Sequence, residues 1–126
     1  INLLKRYYGK KIILIDRFID STISYKHYGF GVNLKLIEFI NKHLLGNIKI
    51  DFTFLNIVNK NNMLKRFRLR KSLNRYDKFK ESFYQRVQGG FLKLAKKNKK
   101  KYLIINSNQD IKKNESLIRQ KIDKLI

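Results

Sequence analysis

The chain of 126 residues has no cysteine, no proline and no tryptophan, and only 9 acidic residues against 30 lysines and arginines. Without cysteine there is neither a disulfide framework nor a thiolate metal site. Two histidines, His27 and His43, are too few for a histidine-rich metal cluster. No apolar run approaches the roughly 18–20 residues that cross a bilayer. Charges break up the opening residues before a signal-peptide core forms. The expectation is a cytoplasmic protein with no membrane partner. The chain begins at Ile1 and soon meets a strand-like run, so both a mature product and an absent upstream part remain open.

What is present is charge, +21 in net terms. Such an excess invites a nucleic-acid reading. Lysine, asparagine and isoleucine, however, are abundant along the whole chain, which fits biased residue usage and a solvated, lysine-rich surface. The expectation is therefore no specific nucleic-acid partner, with the charge helping to draw phosphorylated metabolites. The length fits one domain, within the usual range of about 50–250 residues.

Periodicity gives an order of elements. Residues 2–8 resemble the last turns of an amphipathic helix, ended by Gly9. The run IILI at 12–15 reads as a buried parallel strand. Residues 16–33, DRFIDSTISYKHYGFGVN, read as a loop marked by Gly29 and Gly31. A helix over 34–45 has Asn33 as N-cap and Gly46 as stop. A second strand spans 51–58, and Asn59 is a candidate cap for a helix at 61–69. That helix breaks near 72–77, and a long helix at 78–97 carries Phe79, Phe83, Val87, Phe91 and Leu94 on one face. Gly89 and Gly90 fall inside it, lowering propensity and allowing either close packing or a bend. A third strand covers 102–107 and a last helix 111–126. Alternating short strands and helices predict an α/β fold with an open parallel sheet and helices on both sides.

Ligands of such sheets bind at the carboxyl ends of the strands. Asp16 and Arg17 directly follow the first predicted strand. A carboxylate there suits a metal or its water, and Arg17 suits a phosphate; Asp16 equally suits a helix cap or an anchor for Arg17. Ser21, Thr22, Tyr25, Lys26, His27 and Tyr28 then supply hydrogen-bond donors fit for a small polar ligand with a flat base. The same residues also suit a helix start in which Ser21 and Thr22 cap and Tyr25 packs. Arg66, Arg68, Arg70 and Arg75 cluster where lysine dominates elsewhere. They read as a clamp closing over phosphates or as a solvated helix face.

Taken together, these segments resemble the thymidylate kinase family. Its members carry Asp-Arg-aromatic at a strand end, then Ser-x-x-Ala-Tyr-Gln and a glycine-rich turn; this chain has IDRFIDSTISYKHYGFG at 15–31. The family's Pro-Asp-x-Thr is matched by IDFTFLNI at 50–57. Its arginine-rich lid and following aromatic helix are matched by LKRFRLRKSLNRYDKFKESFYQRVQGGFLKLA at 64–95. Its Ile-Asp-Ala strand end is matched by IINS at 104–107. The match runs nearly end to end, in order and at the right spacing.

The resemblance implies a P-loop nucleoside monophosphate kinase-like three-layer fold. Residues 1–126 would form the C-terminal portion of a single domain, truncated at its N-terminus. It implies ATP-dependent phosphorylation of dTMP to dTDP, with Mg²⁺, in a homodimer. Asp16 resembles the aspartate near the magnesium and phosphates, acting through water. Arg17 resembles the arginine on the acceptor's 5′-phosphate. Ser21, Thr22, Tyr25 and Lys26 fall on the acceptor site, with Thr22 toward the thymine ring and Tyr25 beside the deoxyribose. Arg66, Arg70 and Arg75 fall in or beside the lid, with Arg70 and Arg75 as charge-stabilising groups. Arg66, Arg70 and Asn106 fall on the ATP side.

Departures are specific. Lys26 replaces a base-contacting glutamine and supplies donors but no acceptor. Phe30 replaces an arginine, Asn74 an aspartate, Asp77 a glutamate and Ile50 a proline. No Gly-x-x-x-x-Gly-Lys-Ser/Thr run occurs in the 126 residues, although phosphoryl transfer of this class relies on that loop. The expectation is that the isolated chain is inactive and folds poorly. A related nucleoside monophosphate kinase of different base preference, a basic nucleic-acid-binding protein and a degenerate remnant are the alternatives.

Overall fold

The computed structural model describes residues 1–69 and 81–126. The elements run α1 (Asn2–Tyr7), α2 (Ile19–Thr22), a π-helix (Ile23–Gly29), α3 (Leu34–Leu45), β1 (Thr53–Ile57), α4 (Lys60–Leu69), α5 (Glu81–Lys97), a 3₁₀ turn (Lys99–Lys101), β2 (Tyr102–Asn106) and α6 (Ile111–Leu125). This is a mixed α/β architecture with a small parallel sheet and flanking helices. β1 and β2 pair in parallel from Thr53↔Tyr102 to Ile57↔Asn106. The Ser107 amide continues the ladder by donating to Ile57 O at 2.8 Å. Leu55 pairs with Ile104, so Ile105 points to the opposite face from Leu55. Both Leu55 and Ile105 are buried, but Ile104 beside Leu55 is exposed, so the face of Ile105 is covered and that of Leu55 only in part.

Locally specified elements form where the sequence predicts them. Asn33 caps α3, its side chain accepting from the Leu36 amide at 3.3 Å, and Gly46 ends it at φ +56°. Asn59 caps α4 in the same way, accepting from the Asn62 amide at 2.9 Å. Gly9 follows α1 at φ +72°. Of the predicted long helix, Glu81–Lys97 is described; its first residues and the break at 72–77 lie outside the described residues.

Two expectations fail. Residues 12–15 belong to no helix or ladder, and all four apolar side chains are exposed. A strand needs a neighbouring edge for its backbone groups. Here a cleft lies between this segment and β1, and both line it. The sheet of described residues is accordingly two-stranded. The predicted loop at 16–33 is mostly helical. Ser21 and Thr22 lie within α2, whose N-cap is Phe18 with no side-chain cap bond. The π-helix follows without a break, shown by the Phe30 amide donating to Tyr25 O, five residues back, at 3.0 Å.

The core explains that helix. Phe83, Val87 and Ala95 of α5 are buried together with Ile23, Ile37, Leu45, Leu55 and Ile105. A Cβ on Gly29 would stand 2.6 Å from the Phe83 ring, and one on Gly90 would collide with the Tyr28 ring. The glycine pair in α5 therefore serves close packing, through Gly90. Arg86 closes the contact by donating to Gly29 O at 3.2 Å.

Candidate functional site

The segment 12–15 leads into Asp16 and Arg17, which line a cleft. Arg17 has φ +60°, the one non-glycine residue with positive φ among the described residues. That conformation costs a non-glycine residue about 1–3 kcal/mol and is found preferentially at ligand-binding positions. The Arg17 guanidinium carbon lies 5.8 Å from the centre of the Tyr25 ring, a cation–π arrangement. Tyr25 is in turn held by α5: its ring centre is 6.1 Å from that of Phe83 and 6.4 Å from that of Phe91, the latter edge-on. Among the described residues no carboxylate stands within ion-pairing distance of Arg17. Its donors are thus available to an anion.

Asp16, Arg17, Asp20, Ser21 and Tyr25 all line the cleft, opposite Thr53, Leu55 and Gln88. Its volume is about 1830 Å³, above the roughly 300–1,000 Å³ of closed small-molecule sites, so it is a trough and not an enclosed pocket. Thr22 and Lys26 are exposed and do not line it. Lys26 instead places its ammonium 5.5 Å from the centre of the Phe30 ring.

A second cluster gathers at the carboxyl ends of β1 and β2. Arg66 donates to Ser107 O at 2.6 Å. The Asn106 side-chain oxygen accepts from the Asn108 amide at 3.0 Å and from Asn108 Nδ2 at 2.8 Å. Asn108 Oδ1 then accepts from the Asn59 amide and from Asn62 Nδ2. Arg66 and Asn106 are brought into one neighbourhood, outside the cleft that holds Arg17. Arg70 and Arg75 lie outside the described residues.

Among the described residues no three His, Cys, Asp or Glu side chains converge as an all-protein metal cage. Mg²⁺ at a nucleotide needs only one or two carboxylates, with phosphate and water completing its shell. Asp16, exposed at the mouth of the cleft, fits that smaller requirement. His27 has a structural partner, its Nδ1–H donating to Val32 O at 2.9 Å.

Sequence reasoning misses a bond between distant segments: the Tyr102 hydroxyl donates to Asp20 Oδ2. Burial, above all, pushes the Tyr102 phenol well above the usual tyrosine range. Asp20 adds to this by accepting its proton and by its negative charge, while a bond from Thr53 opposes it. Nothing in the local pattern of either residue signals a partner 82 positions away. Arg86, which fixes the π-helix end, escapes notice for the same reason.

Known proteins match most of the chain. The family profile described as Thymidylate kinase matches residues 3–118. A thymidylate kinase of Kosmotoga olearia is 29% identical over 112 residues, covering 88% of this chain and 54% of that protein. One of Ehrlichia chaffeensis is 39% identical over 101 residues, covering 80% and 48%. The crystal structure of thymidylate kinase from Ehrlichia chaffeensis matches with a TM-score of 0.60 and 31% identity, covering 92% of this chain and 51% of that one. The chain thus spans about half the length of the curated relatives it matches.

Proposed function

The chain belongs to the thymidylate kinase family, and on that footing we propose that the protein carrying it transfers the γ-phosphoryl group of ATP to dTMP, giving dTDP and ADP. The observation that carries the reading is Arg17. It is a cleft-lining arginine in a left-handed conformation, uncommitted to a carboxylate among the described residues and held against an aromatic ring. An oxygen of the acceptor's 5′-phosphate attacks the γ-phosphorus as the bond to the ADP leaving group breaks. Such transfer depends on positioning and charge neutralisation more than on a strong base.

Arg17 holds the acceptor phosphate through paired donors. Tyr25 offers its ring beside the deoxyribose, and Ser21, which lines the cleft, supplies a polar contact toward the base; Thr22 and Lys26 stand outside the cleft, so their polar groups serve its rim. Arg66, Arg70 and Arg75 offset charge on the donor side, with Asn106 near the nucleotide. Mg²⁺, when bound to the phosphates, draws off oxygen charge, and Asp16 orients its water shell. The reading includes a homodimer in the cytoplasm; among the described residues no helix is long and apolar enough to cross a membrane. The isolated 126-residue chain is inactive in this reading, because its sequence contains no phosphate-cradling glycine loop with lysine.

The test is ADP formation from ATP and Mg²⁺ by the whole protein that carries this chain, with dTMP, UMP, CMP and AMP supplied in parallel. Turnover with dTMP alone is expected. Preference for another monophosphate would support the second reading, a kinase of altered base selectivity. Lys26 motivates that reading, since it stands outside the cleft against Phe30. No turnover with any acceptor by a folded protein would refute both.

A further inference from the structure

Asp20 lies three residues after Arg17, where a carboxylate is within reach of a long arginine side chain. It lines the same cleft, and it is one of 9 acids among 30 basic residues. An ion pair between the two would be the ordinary outcome, and it would occupy the donors that an incoming phosphate requires. The structure shows a different pairing. The Asp20 carboxylate accepts from the Tyr102 hydroxyl, and the Arg17 guanidinium lies over Tyr25 instead.

Tyr102 is well placed to hold Asp20. It is the first residue of β2, paired with Thr53, the first residue of β1, so its backbone is fixed by the sheet. The carboxylate is thereby tied to the sheet, and the arginine is left to the cleft.

We propose that Tyr102 is a positioning residue which holds Asp20 away from Arg17 and so keeps the arginine free for the phosphate of the acceptor. The inference rests on the phosphoryl-transfer reading above. It distinguishes a specific electrostatic role from a simple structural strut, because the two predict opposite results for one double variant.

The experiment uses the whole protein that carries this chain, with saturating ATP. Tyr102→Phe removes one hydroxyl and frees Asp20 to pair with Arg17. KM for dTMP is expected to rise about tenfold, with kcat changed by less than about threefold. Adding Asp20→Asn to Tyr102→Phe removes the competing charge and is expected to return KM to within about threefold of the parent. A strut predicts no such rescue, since the introduced phenylalanine still lacks a donor. An unchanged KM in Tyr102→Phe, or a double variant as poor as the single one, overturns the inference while leaving the kinase reading in place. Absence of dTMP turnover by the parent protein overturns both. If Tyr102→Phe fails to fold, Asp20→Asn alone is the second probe. It is expected to leave KM for dTMP within about threefold of the parent, and a rise of about tenfold or more counts against the inference.

Discussion

Two apolar stretches of similar composition meet opposite fates in this molecule. Ile12 and Leu14 of the first are 69% and 83% exposed, whereas Ile105 of β2 is 1% exposed. The difference is not hydrophobicity. Ile105 sits in a strand with a hydrogen-bonded neighbour and a helix packed against it, while residues 12–15 face a cleft and join no strand edge. An apolar run is a request for a partner, and only the surrounding chain determines whether one is supplied. The packed block of π-helix, α3, α5, β1 and β2 holds the burial, and the segment leading to Arg17 is the open side.

That contrast has measurable consequences, and the largest is in the packed block. Phe83→Ala should destabilise by about 3–5 kcal/mol, the usual range for emptying a large aromatic site. Leu14→Ala should stay within about 0.5 kcal/mol. Urea denaturation of both variants checks this, and equal losses would mean that residues 12–15 are as well packed as the core. The next effect separates two adjacent glycines. Gly90→Ala drives a methyl into the Tyr28 ring and should cost about 1–3 kcal/mol. Gly89→Ala meets nothing within 4 Å and should stabilise α5 by about 0.5–1 kcal/mol. Melting temperatures that move in the same direction would contradict the close approach of the two helices.

Smaller again is Ser24, fully buried and, among the described residues, with no partner for its hydroxyl. The family pattern has alanine there, and Ser24→Ala should stabilise by about 1 kcal/mol, since an unpaired buried hydroxyl carries a desolvation penalty. A loss of stability would point to a bound water that satisfies the hydroxyl. The smallest effect lies at high pH. Because burial raises the Tyr102 phenol above its ordinary value near 10, its contribution is complete below that pH and declines as pH rises beyond it. Tyr102 is only half-buried, so solvent screening keeps this effect small. Stability of the parent protein followed from about pH 9 to 11, against Tyr102→Phe, should show the steeper decline in the parent.

The elements legible in the sequence are those specified by neighbours in the chain. Helix α3 is bounded correctly because Asn33 and Gly46 act within a few residues of its ends. β1, β2 and α6 follow from short periodic runs, with ends shifted by one or two residues. Residues 12–15 mislead because pairing is a property of two segments. The loop predicted at 16–33 misleads because Gly29, which resembles a turn signal, is needed for its missing side chain against Phe83. Within the candidate site, Asp16, Arg17, Ser21 and Tyr25 do come together along the cleft. Asp20 escapes notice because its partner Tyr102 is supplied by a distant part of the chain.

The π-helix gives the region between Arg17 and α5 an unusual sensitivity to length. A π-turn closes one residue later than an α-turn, so the loss of a single residue would leave the backbone helical. It would also swing everything on one side of the deletion by about 100°, the rotation per residue of an ordinary helix. With Gly29 fixed against Phe83 and Arg86, a deletion between Tyr25 and Gly29 would carry the Tyr25 ring off both Arg17 and Phe91. The expectation for the lineage is that this stretch tolerates exchanged residues far better than missing ones, and a panel of single deletions scored against substitutions would reveal that asymmetry.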